Sequence, residues 1–222
     1  MTKTLEGVPV SHTRLAIMIF AGVCLFSWWM HGNEDPMPTA NAKANTAVAT
    51  FAGGCLWCLQ PSYDGLEGVI STTPGYTGGI KPDPTDEEVL DGETGHAEAL
   101  EVLYDPSKIT YEKLVDIYWH SIDPLTRNAQ FCDHGTQYRT AIFYHDDMQK
   151  RLAEAAKAKI EASATLNGSI VTQITKASAF YPADDYRSEA FGKNSAQYVF
   201  YRKECGRDAR LRQLWGAAAA ID

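Results

Sequence analysis

The residues Gly54-Cys55-Leu56-Trp57-Cys58 place two sulfurs three positions apart, directly after an apolar run, Ala47-Val48-Ala49-Thr50-Phe51, and a pair of glycines, Gly53 and Gly54. This pattern predicts a strand, a tight turn and a helix start. A cysteine at a helix start sits near unpaired N–H groups and the positive end of the helix dipole, which favour thiolate over thiol. The expected chemistry is therefore that of a reactive sulfur with a second sulfur within reach.

Charged and polar groups collect elsewhere in turn-rich stretches. Tyr76, Glu88, His96, Glu98, Asp133, His134 and Tyr138 are the candidates. Each has an ordinary reading by itself. Glu88 and Glu98 read as solvated carboxylates, His96 after Gly95 as a cap, Tyr138 as a core aromatic with a wet hydroxyl, and Asp133 as a turn cap.

The chain has 222 residues, 45% of them hydrophobic, which is enough for one domain with a substantial core. Its formal charge is -8, with no basic stripe, which argues against nucleic-acid binding. Residues 1–32 read as a signal peptide or N-terminal membrane anchor, with Lys3, His12 and Arg14 ahead of the uncharged run Leu15–Met30. Residues 33–46 read as a linker or cleavage region, 47–216 as the catalytic domain and 217–222 as a tail. The expected location is outside the cytoplasm, periplasmic or held at a membrane. Apart from Cys24 in the apolar run, the cysteines are Cys55, Cys58, Cys132 and Cys205. In an oxidising compartment their ordinary reading is two structural disulfides. A domain of this size does not need such staples, and the glycine-rich turn before Cys55 favours chemistry there.

The elements that must position these groups are read as follows. A short helix covers 57–64, limited by Pro61, and a strand covers 69–73, ended by Pro74-Gly75. A glycine-rich loop then runs over 75–84, with Tyr76 in it. A strand covers 97–104, with Leu100, Val102 and Tyr104 alternating. A helix over 110–119 is capped by Thr110. A polar segment spans 123–135. Strands cover 137–144 and 169–179, and helices 146–164, 187–204 and 209–215. The fold class is α+β: a mixed central sheet with packed helices, a two-layer sandwich with long site-bearing loops.

Four blocks in order resemble the A-type peptide methionine sulfoxide reductases: Gly54-Cys55-Leu56-Trp57-Cys58, Gly75-Tyr76-Thr77-Gly78-Gly79, Thr94-Gly95-His96-Ala97-Glu98 with Asp105-Pro106 beyond, and Asp133 through Ile142. The resemblance covers roughly 48–216. It implies that Cys55 attacks the sulfoxide sulfur and that Glu88 is the protonated acid for the sulfoxide oxygen. Tyr76 and Tyr138 would hydrogen-bond that oxygen, Asp133 would organise the pocket, and Leu56 and Trp57 would hold the S-methyl group. It implies reduction of the S epimer of methionine sulfoxide, in proteins and as the free amino acid. The Cys55 sulfenic acid would be resolved by a second cysteine: Cys205 first, then Cys58, then Cys132, with a Cys132–Cys205 structural pair as the contrary reading. The implied partners are oxidised proteins and a thioredoxin-like thiol donor. No bound cofactor and no metal are implied, and a monomer is expected. Two departures stand out. Leu56 replaces a usual Phe and removes an aromatic contact to the methyl group. Gln60 replaces a common Glu, with a local effect expected on the helix. The competing reading is a general thiol-disulfide oxidoreductase built on Cys55-x-x-Cys58. It leaves Tyr76, Glu88 and Tyr138 without a role.

Overall fold

In a computed structural model, residues 45–183 and 196–219 are described. The expected signal or anchor at 1–32, most of the linker at 33–46, the first half of the helix expected over 187–204 and the end of the tail lie outside those residues. The elements in order are β1 (Ala47–Gly53), α1 (Leu56–Leu59), β2 (Val69–Thr77), α2 (Asp86–Leu90), β3 (Ala97–Tyr104) and α3 (Tyr111–His120), then β4 (Ala129–Gln130), β5 (Asp133–His134), β6 (Thr140–Tyr144) and α4 (Asp147–Ser163), and finally β7 (Gln173–Lys176), β8 (Phe180–Pro182), α5 (Ala196–Glu204) and α6 (Arg207–Trp215). Six strands form one sheet in the order β7-β6-β1-β3-β2-β8, while β4 and β5 make a separate small hairpin. All pairings in the large sheet are antiparallel except β6 with β7. The α+β mixed sheet with packed helices is thus observed.

The sheet cannot be flat. β7 and β8 occupy its opposite edges, yet only residues 177–179 separate them in sequence. Five interstrand spacings across a flat sheet come to roughly 24 Å, whereas so short a connection reaches only about 14 Å. The sheet therefore curls until one short segment bridges both edges: Ala177 N donates to Tyr144 O at the end of β6, and Ala179 O accepts from Thr77 Oγ1 at the end of β2.

Strand alternation explains how the curl is accommodated. One face of the central strands is made of small residues, Ala52, Ala97, Ala99 and Ala141, gathered round Phe143 and joined by Ala177 and Phe180 from the bridging segment. The other face carries the large residues Phe51, Leu100, Val102 and Ile142, which α3, α4 and α6 cover with Leu114, Tyr118, Ala153 and Leu211 among others. Phe51 stacks on Tyr63 and Tyr118 with ring centroids 5.6 and 5.1 Å apart. Thr110 caps α3 as expected, accepting from Lys113 N at 3.2 Å.

Several boundaries differ from the sequence expectation. β2 does not stop at Pro74 but continues through Tyr76 and Thr77, paired with Glu98 and Ala97 of β3. Gly75 allows this, because a Cβ there would lie 2.3 Å from Tyr181 O on the neighbouring strand. The helix expected over 57–64 is a single α-turn followed by a tighter turn at Gln60–Ser62, since Pro61 has no N–H to donate. The strand expected from 137 begins at Thr140, after a tight turn at Thr136–Tyr138. The strand expected over 169–179 shrinks to β7, and residues 177–179 form the bridge to β8 at the opposite edge.

Candidate active site

The antiparallel registers bring four element ends to one rim of the sheet. Gly53 at the end of β1 pairs with Thr140 at the start of β6, and Tyr76 near the end of β2 pairs with Glu98 near the start of β3. Cys55 follows β1 directly, so its sulfur is delivered to the same rim. A cavity of about 300 Å³ opens there, lined by Cys55, Leu56, Trp57, Tyr76 and Glu98, with Leu90, Asp133, Tyr138, Phe200 and Tyr201 completing it. The structure thus gathers Cys55, Leu56, Trp57, Tyr76, Asp133 and Tyr138 from the sequence expectation.

The turn that carries Cys55 is held without spare room. Gly54 has φ +87°, and a Cβ on it would approach the Gln130 side chain to 2.5 Å. Gln130 is fully buried. It accepts from Asp123 N at 2.9 Å and donates to Asp123 O at 2.6 Å. Tyr118 donates to Ala52 O at 2.8 Å from beneath. Leu56 N donates to Glu98 Oε2 at 3.0 Å, tying the first residue of α1 to β3.

Glu88 is not in the cavity. It is part of the capping box of α2, where its carboxylate accepts from Thr85 N at 3.0 Å and its N–H donates to Thr85 Oγ1 at 3.3 Å. It also pairs with Lys81. Lys81, then the Thr85 amide, hold the Glu88 carboxyl below the usual range, opposite to what a protonated acid needs. The carboxyl beside Cys55 belongs to Glu98, which is only 6% exposed. Two signals in the sequence separate them. Thr85-x-x-Glu88 is a capping-box pattern, and Glu98 shares strand parity with Leu100 and Val102, the core face.

Tyr76 is buried, and its hydroxyl donates to Asp86 Oδ1 at 2.5 Å. Tyr201 donates to Asp133 Oδ1. Burial raises the Asp133 pKa, while the Tyr201 hydroxyl and the Arg207 charge pull it back down. His96 is structural: its Nδ1 accepts from Gly79 N at 3.1 Å, so Nε2 carries the proton donated to Lys81 O at 2.7 Å. Phe200, Tyr201 and Leu90 were not singled out in the sequence. Tyr201 sits four residues before Cys205, a thiol expected near the site, and that spacing is one helical turn.

The cysteines divide differently from the expected ranking. Cys132 and Cys205 are joined in a disulfide, with Cα atoms 5.0 Å apart, whereas Cys55 and Cys58 are free thiols, half-buried and buried respectively. Cys205, placed first as the resolving thiol, is thus engaged with Cys132. The expected thiolate at Cys55 is also corrected. A hydrogen bond with the Cys58 sulfur, then burial, then the nearby negative groups Glu98 and Asp133 push the Cys55 thiol up. The helix behind it, Leu56–Leu59, is one turn long and supplies little opposing dipole.

The sequence pattern of the family described as peptide methionine sulfoxide reductase matches residues 47–219. A peptide methionine sulfoxide reductase MsrA of Bacillus licheniformis is 45% identical over 169 residues, covering 76% of this chain and 93% of the relative. The protein of the same name from Bacillus subtilis is 45% identical over 170 residues, covering 77% and 96%. Among solved structures, reduced Mxr1 of Saccharomyces cerevisiae superposes with a TM-score of 0.63 at 28% identity, covering 69% of this chain and 90% of that one. Methionine sulfoxide reductase A of Corynebacterium diphtheriae gives 0.57 at 30% identity, covering 73% and 77%.

The arrangement predicts that Cys55 alkylation by iodoacetamide has a pH midpoint above the ordinary thiol value of about 8.5. Replacing Cys58 with Ala removes the largest cause and should lower that midpoint. An unchanged midpoint in Cys58→Ala would contradict the assigned cause.

Proposed function

The chain belongs to the peptide methionine sulfoxide reductase family, and we propose that its Cys55 takes oxygen from methionine S-sulfoxide in proteins, and from the free amino acid, with Cys58 completing the thiol chemistry. The observation that carries this reading is the cavity that sets one free sulfur against a buried carboxyl, three phenols and an indole. The general thiol-disulfide exchange reading gives those groups no task.

The sulfur of Cys55 attacks the sulfoxide sulfur, and the S–O bond breaks as the oxygen passes to Cys55. The products are methionine and a Cys55 sulfenic acid. The departing oxygen must be protonated, and Glu98 is the carboxyl beside Cys55 in the cavity; the role requires it to hold a proton while the sulfoxide is bound. Tyr138 adds a phenolic hydroxyl where charge develops on that oxygen, and Tyr76 adds a second once its proton turns from Asp86 Oδ1 to the bound oxygen. The Trp57 ring and Leu56 give the methyl group an apolar wall. The Cys58 thiol then attacks the Cys55 sulfenic sulfur, forming a disulfide and releasing water. A dithiol donor of thioredoxin type restores both thiols by exchange and leaves as its own disulfide. Cys58 is chosen because it is a free thiol whose own N–H donates to Cys55 O at 2.9 Å, whereas Cys205 is held by Cys132.

Export is part of the proposal. It rests on the uncharged run Leu15–Met30 behind Lys3 and Arg14, and on the small-residue segment that follows. Expression of the full chain with mass measurement of the mature N-terminus tests it. An intact N-terminus on a protein recovered from the cytoplasm would refute export.

Glu98→Gln should lower the turnover number by about 100-fold or more, the ordinary worth of a positioned acid. Glu88→Gln should stay within about twofold, since its partners lie on the surface. The reverse order would return the acid role to Glu88. Mapping the disulfides after one turnover should reveal a Cys55–Cys58 bond, with Cys132–Cys205 unchanged. A Cys55–Cys205 bond would transfer the resolving step to Cys205.

A further inference from the structure

The C-terminal segment grips three consecutive residues of the 129–134 hairpin in three different ways. The Arg207 guanidinium lies 4.4 Å from the Phe131 ring centroid. Cys205 is bonded to Cys132. Tyr201 donates its phenolic proton to Asp133. Only the last of these reaches the cavity, where Tyr201 and Asp133 are both lining groups. Arg207 is buried and also donates to Ser121 O at 2.6 Å, so the base of the grip is fixed to the body of the domain.

We propose that Tyr201 is a positioning residue of the sulfoxide site, which holds the Asp133 carboxylate at the cavity wall, and that the Cys132–Cys205 disulfide keeps Tyr201 in place to do so. This rests on the reading of the cavity as the sulfoxide site. The disulfide then has a task separate from the Cys55–Cys58 redox pair: it fixes a wall of the substrate pocket. Phe200, the neighbour of Tyr201, is 67% exposed at the mouth of the same cavity, so loosening α5 disturbs the apolar lip as well as the polar wall.

Asp133 reports on this arrangement through its proton. Tyr201, Arg207 and His134 each favour its charged form, and burial opposes them. Cys55, Glu98 and Tyr138 share the cavity with it. Removing the Tyr201 hydroxyl takes away a group that lowers the Asp133 pKa. The carboxyl then takes up its proton at higher pH, and the acidic limb of the rate profile moves upward.

The test is a single-turnover reaction of the full chain with a methionine sulfoxide peptide, without added reductant, so that the disulfide stays closed. Tyr201→Phe keeps the ring and its packing. It should raise the half-saturating peptide concentration about tenfold, as expected for a lost hydrogen bond to a charged group, and move the acidic limb to higher pH. Cys132→Ser with Cys205→Ser should shift both in the same direction, and adding Tyr201→Phe to that pair should change little further, the mark of one coupled unit. Wild-type enzyme whose disulfide is opened by a thiol reductant before mixing should behave like the serine pair and needs no variant. A wild-type half-saturation and acidic limb in Tyr201→Phe would overturn the positioning role. Wild-type values in both the serine pair and the opened enzyme would overturn the part given to the disulfide. Absence of methionine product from the wild-type protein itself would sink the sulfoxide reading, and this proposal with it.

Discussion

The constraint on which the rest depends is the difference in side-chain size between the two faces of the central strands. A sheet curls toward its less bulky face. Here that face is lined by Ala52, Ala97, Ala99 and Ala141, with Gly75 where the backbone of β8 presses closest. Larger residues at those positions would hold the edges apart, and residues 177–179 could not bridge them. The same curl turns the ends of β1, β2, β3 and β6 into one rim. Residues distant in sequence, Cys55, Tyr76, Glu98 and Tyr138, meet only because that rim is compact.

The electrostatics of the rim give the site a guarded resting state. Cys55 lies beside a second sulfur and two carboxyl-bearing residues and is held as a thiol. A protonated sulfur attacks slowly. A sulfoxide in the cavity changes that balance by placing a basic oxygen among the proton donors. The reactive charge distribution is completed by the substrate rather than stored in the empty site, which is a form of catalysis by differential binding.

Much of this was legible in the sequence. Gly53 and Gly54 before Cys55 identified the turn, and the Thr110 cap identified α3. The alternation from Leu100 to Tyr104 identified β3. The motif blocks named most of the cavity. What failed did so for local physical reasons. Glu88 and Glu98 are alike as letters. They differ in that one closes a capping box on the surface and the other faces the core side of a strand, next to an N–H that needs an acceptor. The curl could not be read, because it depends on which strands become neighbours; no pattern within one strand says that β7 and β8 lie at opposite edges. The cysteine pairing is of the same kind. Cys132 and Cys205 are 73 residues apart and meet through the packing of α6 against Ser121 and Asp123. The thiolate expected at Cys55 assumed a longer helix than Pro61 permits.

The 73-residue span closed by Cys132 and Cys205 has a consequence for how the domain opens. It encloses β6, α4, β7, β8 and α5, so these elements cannot drift from the hairpin even when their packing fails. In the chain-entropy account, a loop of that size restricts the unfolded ensemble by roughly 4 kcal/mol. Without the bond, α5 and α6 stay on the hairpin through side-chain contacts such as Tyr201 with Asp133 and Arg207 with Phe131, and local opening there costs less. With it, their excursions are short and self-correcting. Hydrogen exchange from α5 and α6 is thereby linked to the redox poise of the surroundings.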